Sequence, residues 1–459
     1  MAYISDWMGR IGERRLIFVI LLTGFALRLA AGLHYTHLVP LPVENQLVAA
    51  SLAQHHGYAD AFRPGSGPTA HTGPLAPLPL AAIYALFGAG TPLAQFVSMA
   101  ITIACVLASI YVLNACFREL GIEAGARLAA VAFTALMPIQ LYLESAELAA
   151  WEVGYATVAL YGILLAALKL DRRESIPLMA WVGLAAAVAV LVLLSPAPGL
   201  GAAGILGLLL LRREGWPMRI FVAGLTLAIF VAITTPWMLR NERLLGARIR
   251  TRTSFAYSFA VGFHDKQLTD GLREANTSRV IEIAPHHRSG PGYARMKAAG
   301  GEVAYTRELV AETKRWIVNH PLGAAKIALR NLWNYYCPPA WLWDRWSKTP
   351  VRPISKIRAF LFALIALAGL VNLFRLLALH QWRFLYPASI AVLPALPYIL
   401  TYPLLRYRYP VSSLLIFLAA AGAGALWLRY RRRRQADNVP VVCDPNPRQS
   451  LAPFSAVLA

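Results

Sequence analysis

The strongest constraint on the fold of this chain is a series of apolar runs that are long enough to cross a membrane. These runs occupy 15–33, 93–116, 126–143, 147–170, 176–194, 198–211, 219–238, 356–377, 384–402 and 411–429. The 459-residue chain is 58% hydrophobic and 15% charged. A soluble domain averages about 45–50% apolar and about 25% charged residues. We therefore predict an all-α polytopic membrane protein with about ten transmembrane helices.

An eleventh apolar run at 74–90, "PLAPLPLAAIYALFGAG", is short and has three prolines in its first half. If this run does not span and the N-terminus is cytoplasmic, all cytoplasmic loops and the tail "RYRRRRQ" are rich in Lys and Arg, as the positive-inside rule requires. If it spanned, every later loop would invert. We therefore predict a helix lying on the outer membrane surface at 74–90, with both termini cytoplasmic and the first span retained rather than cleaved.

This topology leaves two large outer segments, loop 1 at about 34–92 and a longer region at 240–353. Within the longer region, "EVAYTRELVAETKRWIVNHP" has apolar residues at helical spacing and predicts an amphipathic helix that ends at Pro321. The expected organisation is a transmembrane module with the catalytic loop 1, an outer region, further transmembrane helices and a disordered tail, at 1–239, 240–353, 354–434 and 435–459.

The charge balance is strongly basic, with 44 Lys and Arg against 23 Asp and Glu. In a soluble protein this excess would indicate nucleic-acid binding. Here many basic residues lie in short loops between apolar runs, so membrane orientation explains them and no nucleic-acid partner is expected. The four cysteines form neither a disulfide framework nor a zinc motif. Motifs for ATP or nicotinamide use are absent from the sequence.

Acidic residues on the first two outer connections are the candidate catalytic groups. Glu44 follows the first span, and Glu144 and Glu147 lie between the third and fourth spans, with Glu152 further along. On a helix, Glu144, Glu147 and Trp151 would share a face. Such carboxylates can act as general bases or hold a divalent cation. The structural alternative for Glu44 is a charge near a helix N-terminus, where the dipole favours it.

Cationic residues predicted at the same surface are candidates for binding an anion. Arg240 ends the seventh span in "TTPWMLRN", Arg406 and Arg408 lie in "RYRYP" before the last span, and Arg63 lies in loop 1. A guanidinium fork suits phosphate or diphosphate. The alternative for Arg406 and Arg408 is that they snorkel beside tyrosines at an aromatic belt.

Histidines are the remaining candidate ligands at the outer surface. His71 in "GPTAHTGP" and His264 in "GFHD" are candidate substrate-binding residues. The adjacent pair His286 and His287 is weak evidence for a metal, because it lacks the spacing of a helical or hairpin site. The sequence predicts no definite cofactor, and a divalent metal ion stays open as a role for the acids.

Four motifs in order resemble those of bacterial membrane glycosyltransferases of the GT-C fold. They are "ENQLVAASLAQHHGYADAF", "GPTAHTGPLAPLPLAAIYALFG", "TTPWMLRN" and "RYRYPVSSLLIFLAAAG", and they run from residue 44 to about 425. The branch they resemble is the protein-mannosyltransferase-like family 39, with the lipid A aminoarabinose transferases. Glu44 stands where the family often has Asp, and Gly73 and Ala76 stand where it has Pro and Tyr.

The resemblance implies an inverting transferase in the bacterial inner membrane, with its site at the periplasmic face. Such enzymes take a sugar from a polyprenyl-phosphate carrier and pass it to an acceptor, which here is unknown: a glycolipid, a polysaccharide or a protein. Glu44 would be the general base or position the acceptor, and Glu144 or Glu147 would assist or ligate a metal. Arg240, Arg406 and Arg408 would bind the phosphate.

Two other functions stay open at this point. A transporter or flippase for a lipid-linked sugar would need mid-membrane charges, broken helices and internal repeats, whereas the notable charges here are predicted at one face. The substitutions Gly73 and Ala76 also leave open a catalytically inactive assembly factor of the same fold.

Overall fold

The computed structural model of the chain describes residues 12–39, 43–137, 140–270, 272–287, 289–344 and 351–437, with side chains to 434. Its α-helices are α1 (Glu13–Thr36), α2 (Glu44–Ala53), α3 (Leu78–Phe87), α4 (Pro92–Glu119), α5 (Ala124–Leu136), α6 (Val153–Leu170), α7 (Leu178–Leu194), α8 (Pro196–Arg213), α9 (Trp216–Leu245), α10 (Phe255–Gly262), α11 (Lys266–Thr269), α12 (Leu272–Ile283), α13 (Gly292–Ala298), α14 (Glu302–Asn319), α15 (Pro321–Tyr336), α16 (Pro353–Ala378), α17 (Leu385–Val392), α18 (Leu396–Ile399) and α19 (Leu405–Asp437). These segments contain one isolated β-bridge, Ala59 with Pro68, and no strand longer than that.

Among the described residues, six helices are long and apolar enough to cross a membrane: α1, α4, α6, α9, α16 and α19. Each coincides with a predicted span. The prediction of an all-α, multi-pass membrane protein is therefore confirmed. The last of these helices continues through Asp437, and the rest of the predicted disordered tail, 438–459, lies outside the described residues.

The other four predicted spans are also helical, but two are shorter, one is interrupted, and α8, with 18 residues, is less apolar than the six. Helix α5 has 13 residues and α7 has 17, and α8 begins only two residues after α7 ends. The predicted span at 384–402 is a succession of α17, a 3₁₀ turn and α18 rather than one helix. Pro394 and Pro397 explain the interruption, because proline lacks the N–H that continues a helical ladder. The number of membrane crossings stays a prediction.

Loop 1 contains the two short helices α2 and α3. Helix α3 lies inside the predicted interfacial segment 74–90 and ends at Gly88, whose φ is +85°. Its buried side chains Leu80, Ile83 and Tyr84 pack with Ala49 of α2. The helix is as predicted, while its position on the membrane surface stays a prediction.

The outer region from α10 to α15 shares a hydrophobic core with loop 1. Val48 and Phe62 of loop 1 are buried with Tyr257, Tyr305 and Leu309. The last two belong to α14, which is the predicted amphipathic helix and ends immediately before His320 and Pro321. Because the two outer segments bury apolar surface against each other, each fixes the position of the other.

Close helix packing in the transmembrane part depends on small residues. Gly369 of α16 lies so close to α19 that a Cβ added there would be 2.5 Å from the carbonyl oxygen of Leu415. Small residues at such crossings let helix backbones approach each other in a membrane, where no hydrophobic effect drives helices together.

We expect Gly369→Ala to lower the thermal unfolding temperature of the detergent-solubilised protein. Its methyl group must push two backbones apart, and overpacking of this kind costs about 1–3 kcal/mol. The matched control is Gly207→Ala in α8, where a Cβ would meet nothing within 4 Å and alanine favours the helix. Equal melting temperatures for the two variants would contradict this account of the α16–α19 contact.

Candidate active site

A cavity of about 860 Å³ lies between loop 1, the start of α6, the outer region and the start of α19. Its wall contains both charged and aromatic side chains. They include Glu44, His71, Trp151, Glu152, Arg252, Arg273, His286, Tyr398, Arg406 and Tyr407. A concave site with a few convergent polar groups is the expected form of a small-molecule binding site.

Glu44 is the first residue of α2 and lies at the cavity wall, 9% exposed. Its Oε1 atom is 2.9 Å from Nδ1 of His286 and 3.5 Å from Nε2 of His71. The predicted position at a helix N-terminus is therefore correct. The carboxylate contacts two imidazoles, however, so capping alone does not describe it.

Glu44 and His286 stabilise each other's charged forms, and His71 also favours the ionised carboxylate. Burial acts to raise the pKa of Glu44, but His286 and His71 outweigh it and hold this pKa well below its usual range. Burial acts to lower the pKa of His286, and the adjacent Glu44 carboxylate reverses this and raises it. The pair is an ionised carboxylate beside an imidazole that readily binds a proton.

The same three residues fit a divalent cation. One ligand atom from each lies within 4.8 Å of the others. Nδ1 of His286 is buried and makes no hydrogen bond within the described part of the chain, although it is 2.9 Å from Oε1 of Glu44. Two groups this close can share a proton or be ligands of one ion. Two imidazoles and a carboxylate suit Zn²⁺, Mn²⁺ or Fe²⁺ better than Mg²⁺ or Ca²⁺.

The local sequence does not indicate that His286 belongs to the site. It follows the end of α12 in "IAPHH", and its pairing with His287 suggested only a polar loop. Helix α12 brings it against loop 1, where the buried Ile283 packs with Val48 of α2. Only this long-range contact distinguishes His286 from its neighbour.

The connection between α5 and α6 does not form the α-helix on which Glu144, Glu147 and Trp151 would share a face. Leu143–Glu147 is a π-helical turn, Leu148–Ala150 is a 3₁₀ turn, and Trp151 is extended with φ −132° and ψ 162°. The helix that would give all three a shared face does not form: Glu147 and Trp151 both contact Arg406, whereas Glu144 contacts Arg28. The changes of helical pitch, followed by the extended residue, turn successive side chains in different directions.

The three acids of this connection consequently have different surroundings. Glu144 is buried and pairs with Arg28 of α1, with 2.7 Å between Oε2 and Nη2. Glu147 pairs with Arg406, with 2.9 Å between Oε1 and Nη1. Glu152 lines the cavity and accepts a hydrogen bond from Ser195 at 3.3 Å. Glu152 is therefore the acid of this connection that faces the same cavity as Glu44.

Three arginines contribute positive charge to the cavity wall. Arg406 was predicted, and its guanidinium lies over the ring of Trp151, 4.4 Å from the centroid. Arg252 and Arg273 also line the cavity and were missed, because nothing in their local sequence separates them from the many other arginines of the chain. Arg406 is close enough to His286 that its charge opposes protonation of that ring.

Arg240 of α9 is not in the cavity wall and instead holds loop 1. It donates hydrogen bonds to the carbonyl oxygens of Thr69 and Tyr58, and its guanidinium lies near the rings of Tyr58 and Trp237. The carboxylate of Glu302 on α14 adds to this anchor by accepting hydrogen bonds from the Thr69 hydroxyl and the Ala70 amide. These contacts fix the segment that carries His71.

The structure also places Arg63, Arg408 and His264 away from the cavity wall. Arg63 stacks on Tyr293 at 4.4 Å. Arg408 is buried, donates to the carbonyl oxygen of Tyr336 and lies over Phe362. Burial and the neighbouring Arg279 lower the pKa of His264 to about 4. Substrate binding by these three residues stays a prediction from the sequence.

No family model and no curated protein matches the sequence. Among solved structures, the fold is similar to the crystal structure of the Archaeoglobus fulgidus oligosaccharyltransferase in the apo form. The match has a TM-score of 0.51 at 14% identity, and it covers 94% of this chain and 52% of that one. The chain thus spans about half the length of this relative.

The chain has the GT-C fold. This is the fold that the order of its motifs implied, and the structural match extends over nearly the whole chain. Membership of the protein-mannosyltransferase-like family 39 stays a prediction. In this fold the cavity lies between loop 1 and the region 240–353.

We expect acid to destabilise the protein through His264. Its pKa is about 4 in the folded protein and about 6.5 in an unfolded chain, so the unfolded state binds more protons as the pH falls below 6.5. The stability that the neutral ring contributes is fully present above pH 6.5, decreases as the pH falls, and is lost by about pH 4. His264→Gln should make the melting temperature depend less on pH between these two values. The same change at the exposed His56 should leave the pH dependence as it is in the wild-type protein. An unchanged profile in His264→Gln would contradict the assignment.

We expect the purified protein to bind about one Zn²⁺ per chain at its three-ligand cluster. Equilibrium dialysis followed by elemental analysis measures this directly. His286→Gln should lose most of the bound zinc, because two ligands do not form a stable site. The exposed-site control His56→Gln should retain it. Equal zinc content in both variants would show that Glu44, His71 and His286 do not form a metal site.

Proposed function

We propose that this protein is an integral membrane glycosyltransferase that moves a sugar from a polyprenyl-phosphate carrier to an acceptor hydroxyl, with inversion. One observation carries the proposal: in a GT-C fold, a single cavity brings the ionised Glu44 together with Arg252, Arg273 and Arg406. A carboxylate opposite several guanidiniums suits a reaction in which a proton leaves the acceptor and negative charge grows on a departing phosphate.

The reaction is a single displacement at the anomeric carbon. The acceptor oxygen forms a bond to that carbon while the bond from the carbon to the phosphate oxygen breaks. The hydroxyl proton passes to a carboxylate, and the polyprenyl phosphate leaves with the bonding electron pair. Attack and departure occur on opposite faces of the sugar, which inverts the configuration.

Glu44 is the proposed proton acceptor. Both of its contacts with histidine are made by Oε1, which leaves Oε2 for an acceptor hydroxyl. Because His71 and His286 keep the carboxylate ionised, it can orient the hydroxyl throughout the approach and receive the proton as the new bond forms. A divalent cation bound to these residues would supply a Lewis acid beside the reacting groups.

The cationic wall is the proposed phosphate subsite. Arg406 is held in place by Glu147 and by the ring of Trp151. Arg252 and Arg273 complete the positive charge, and fixed guanidiniums stabilise a leaving phosphate without reorganisation. The aromatic part of the wall, with Tyr398 stacked on Tyr407 at 4.7 Å, provides an apolar face suited to a sugar ring or a prenyl chain.

We expect Glu44→Gln to lower kcat by about 10²–10⁴-fold, the range for loss of a general base. The assay measures release of polyprenyl phosphate from a radiolabelled polyprenyl-phosphate sugar by purified protein in nanodiscs. The matched control is Glu308→Gln, the same change at an exposed position of α14, which should keep full activity.

Two results would contradict the proposal at different levels. If Glu44→Gln keeps full turnover, Glu44 is not the general base, but the protein is still a transferase. If the wild-type protein moved the labelled lipid across the bilayer without breaking the sugar–phosphate bond, the protein would be a flippase rather than a transferase.

A further inference from the structure

Arg28 is a fully buried arginine in the C-terminal half of the first membrane-length helix. A charge at such a place is costly unless it is paired, so it usually has a function. The buried residues Gly24, Arg28 and Gly32 lie four residues apart on one face of α1. This face, in "GFALRLAAG", lies against α5 and the π-helical turn: a Cβ added to Gly24 would be 2.7 Å from the carbonyl oxygen of Ala135.

The guanidinium of Arg28 contacts both the end of α5 and the connection that follows it. It donates to the carbonyl oxygens of Thr134 and Ala135 at 3.0 and 2.5 Å. These belong to the last turn of α5, where carbonyl groups lack helical partners and the dipole is negative. Its Nη2 atom also lies 2.7 Å from Oε2 of Glu144. Arg28 therefore ties the end of α5 to the π-helical turn that follows.

From Glu144 the contacts continue to α19. The hydroxyl of Tyr409 donates to Oε1 of Glu144 at 2.7 Å. Three residues before Tyr409, Arg406 pairs with Glu147, which is three residues after Glu144. Two neighbouring contacts thus connect the π-helical turn to the first turns of α19. They are Glu144 with Tyr409 and Glu147 with Arg406.

We propose that Arg28 is a positioning residue for binding of the donor phosphate, acting through Glu144 and Tyr409 to hold Arg406 at the cavity wall. The inference rests on the proposed function, because it takes Arg406 as part of the phosphate subsite. It also changes the role of Glu144, which the sequence presented as a catalytic acid. Glu144 has both carboxylate oxygens engaged and is 2% exposed, so it acts on the cavity only through Arg406.

Glu147, the ring of Trp151 and the hydroxyl of Tyr407 orient the guanidinium of Arg406. Where that side chain starts depends on the helix start, and fixing Tyr409 one turn further along α19 defines the position and rotation of that start. Preorganisation of this kind improves ligand affinity by cutting the ordering cost of binding.

The test measures the Kd of fluorescent undecaprenyl phosphate for the full-length protein in nanodiscs. Tyr409→Phe removes one hydroxyl, and Arg28→Met with Glu144→Gln removes both buried charges together, a change that proteins often tolerate. We expect each to raise Kd by about tenfold, the scale of one lost charge-assisted contact. Arg406→Gln should raise it at least as much.

Non-additivity distinguishes positioning from a general loss of structure. In a protein that already carries Arg406→Gln, adding Tyr409→Phe or the paired change should raise Kd by less than about twofold. The effects of residues that act through the same group are not additive. The matched control is Arg127→Met with Glu13→Gln. That pair joins the same helices α1 and α5 at their other ends, with 2.8 Å between Nη1 and Oε1, and its loss should leave Kd unchanged.

Three results would overturn the inference. If Arg406→Gln weakens binding while Tyr409→Phe and the paired change do not, the positioning role is wrong and the proposed phosphate subsite stands. If the control pair weakens binding as much as the Arg28 pair, helix packing in general is responsible. If Arg406→Gln binds like the wild-type protein, Arg406 is not part of the phosphate subsite, and the inference fails with that part of the proposed function.

Discussion

Charge buried in the transmembrane helices and the connections between them is the constraint on which the rest of this structure depends. A carboxylate or guanidinium removed from water needs a partner of opposite charge or several hydrogen bonds. Arg28 with Glu144, and Arg406 with Glu147, satisfy this need across helices that are distant in sequence. Each pair therefore fixes the relative position of two elements, and together they determine the geometry of the connection between α5 and α6.

The same requirement orders the outer segments. Glu302 and Arg240 both hold the stretch of loop 1 around Thr69, and this stretch carries His71 to the cavity. Glu44 is then flanked by one histidine from loop 1 and another, His286, from the outer region. Neither segment forms the site alone. The cavity exists because two regions that lie far apart in the sequence share a hydrophobic core and a set of polar anchors.

The arrangement separates residues that line the cavity from residues that hold them in place. Glu44, Glu152 and Arg406 face the cavity. A second set of charged residues lies outside the cavity wall and supports the first through contacts with backbone groups and ion pairs. It consists of Arg240, Glu302, Arg28 and Glu144. Sequence motifs do not separate the two sets, because both consist of charged residues at predicted membrane boundaries. The acid at Glu144 shows this well: it lies in the expected connection, and its side chain points to Arg28 and Tyr409.

The sequence by itself determined the fold class, the positions of the long apolar helices, the short helix α3 and the amphipathic α14, because each depends on local hydropathy, periodicity and proline. It also pointed to Glu44 and Arg406, which lie in recognisable motifs. Only the tertiary structure decided which acid of the second connection faces the cavity, and it brought His286, Arg252 and Arg273 to the wall. The physical reason is that side-chain direction in a π-helical turn, and contact between distant loops, depend on packing and charge pairing across the whole fold, which no local pattern encodes.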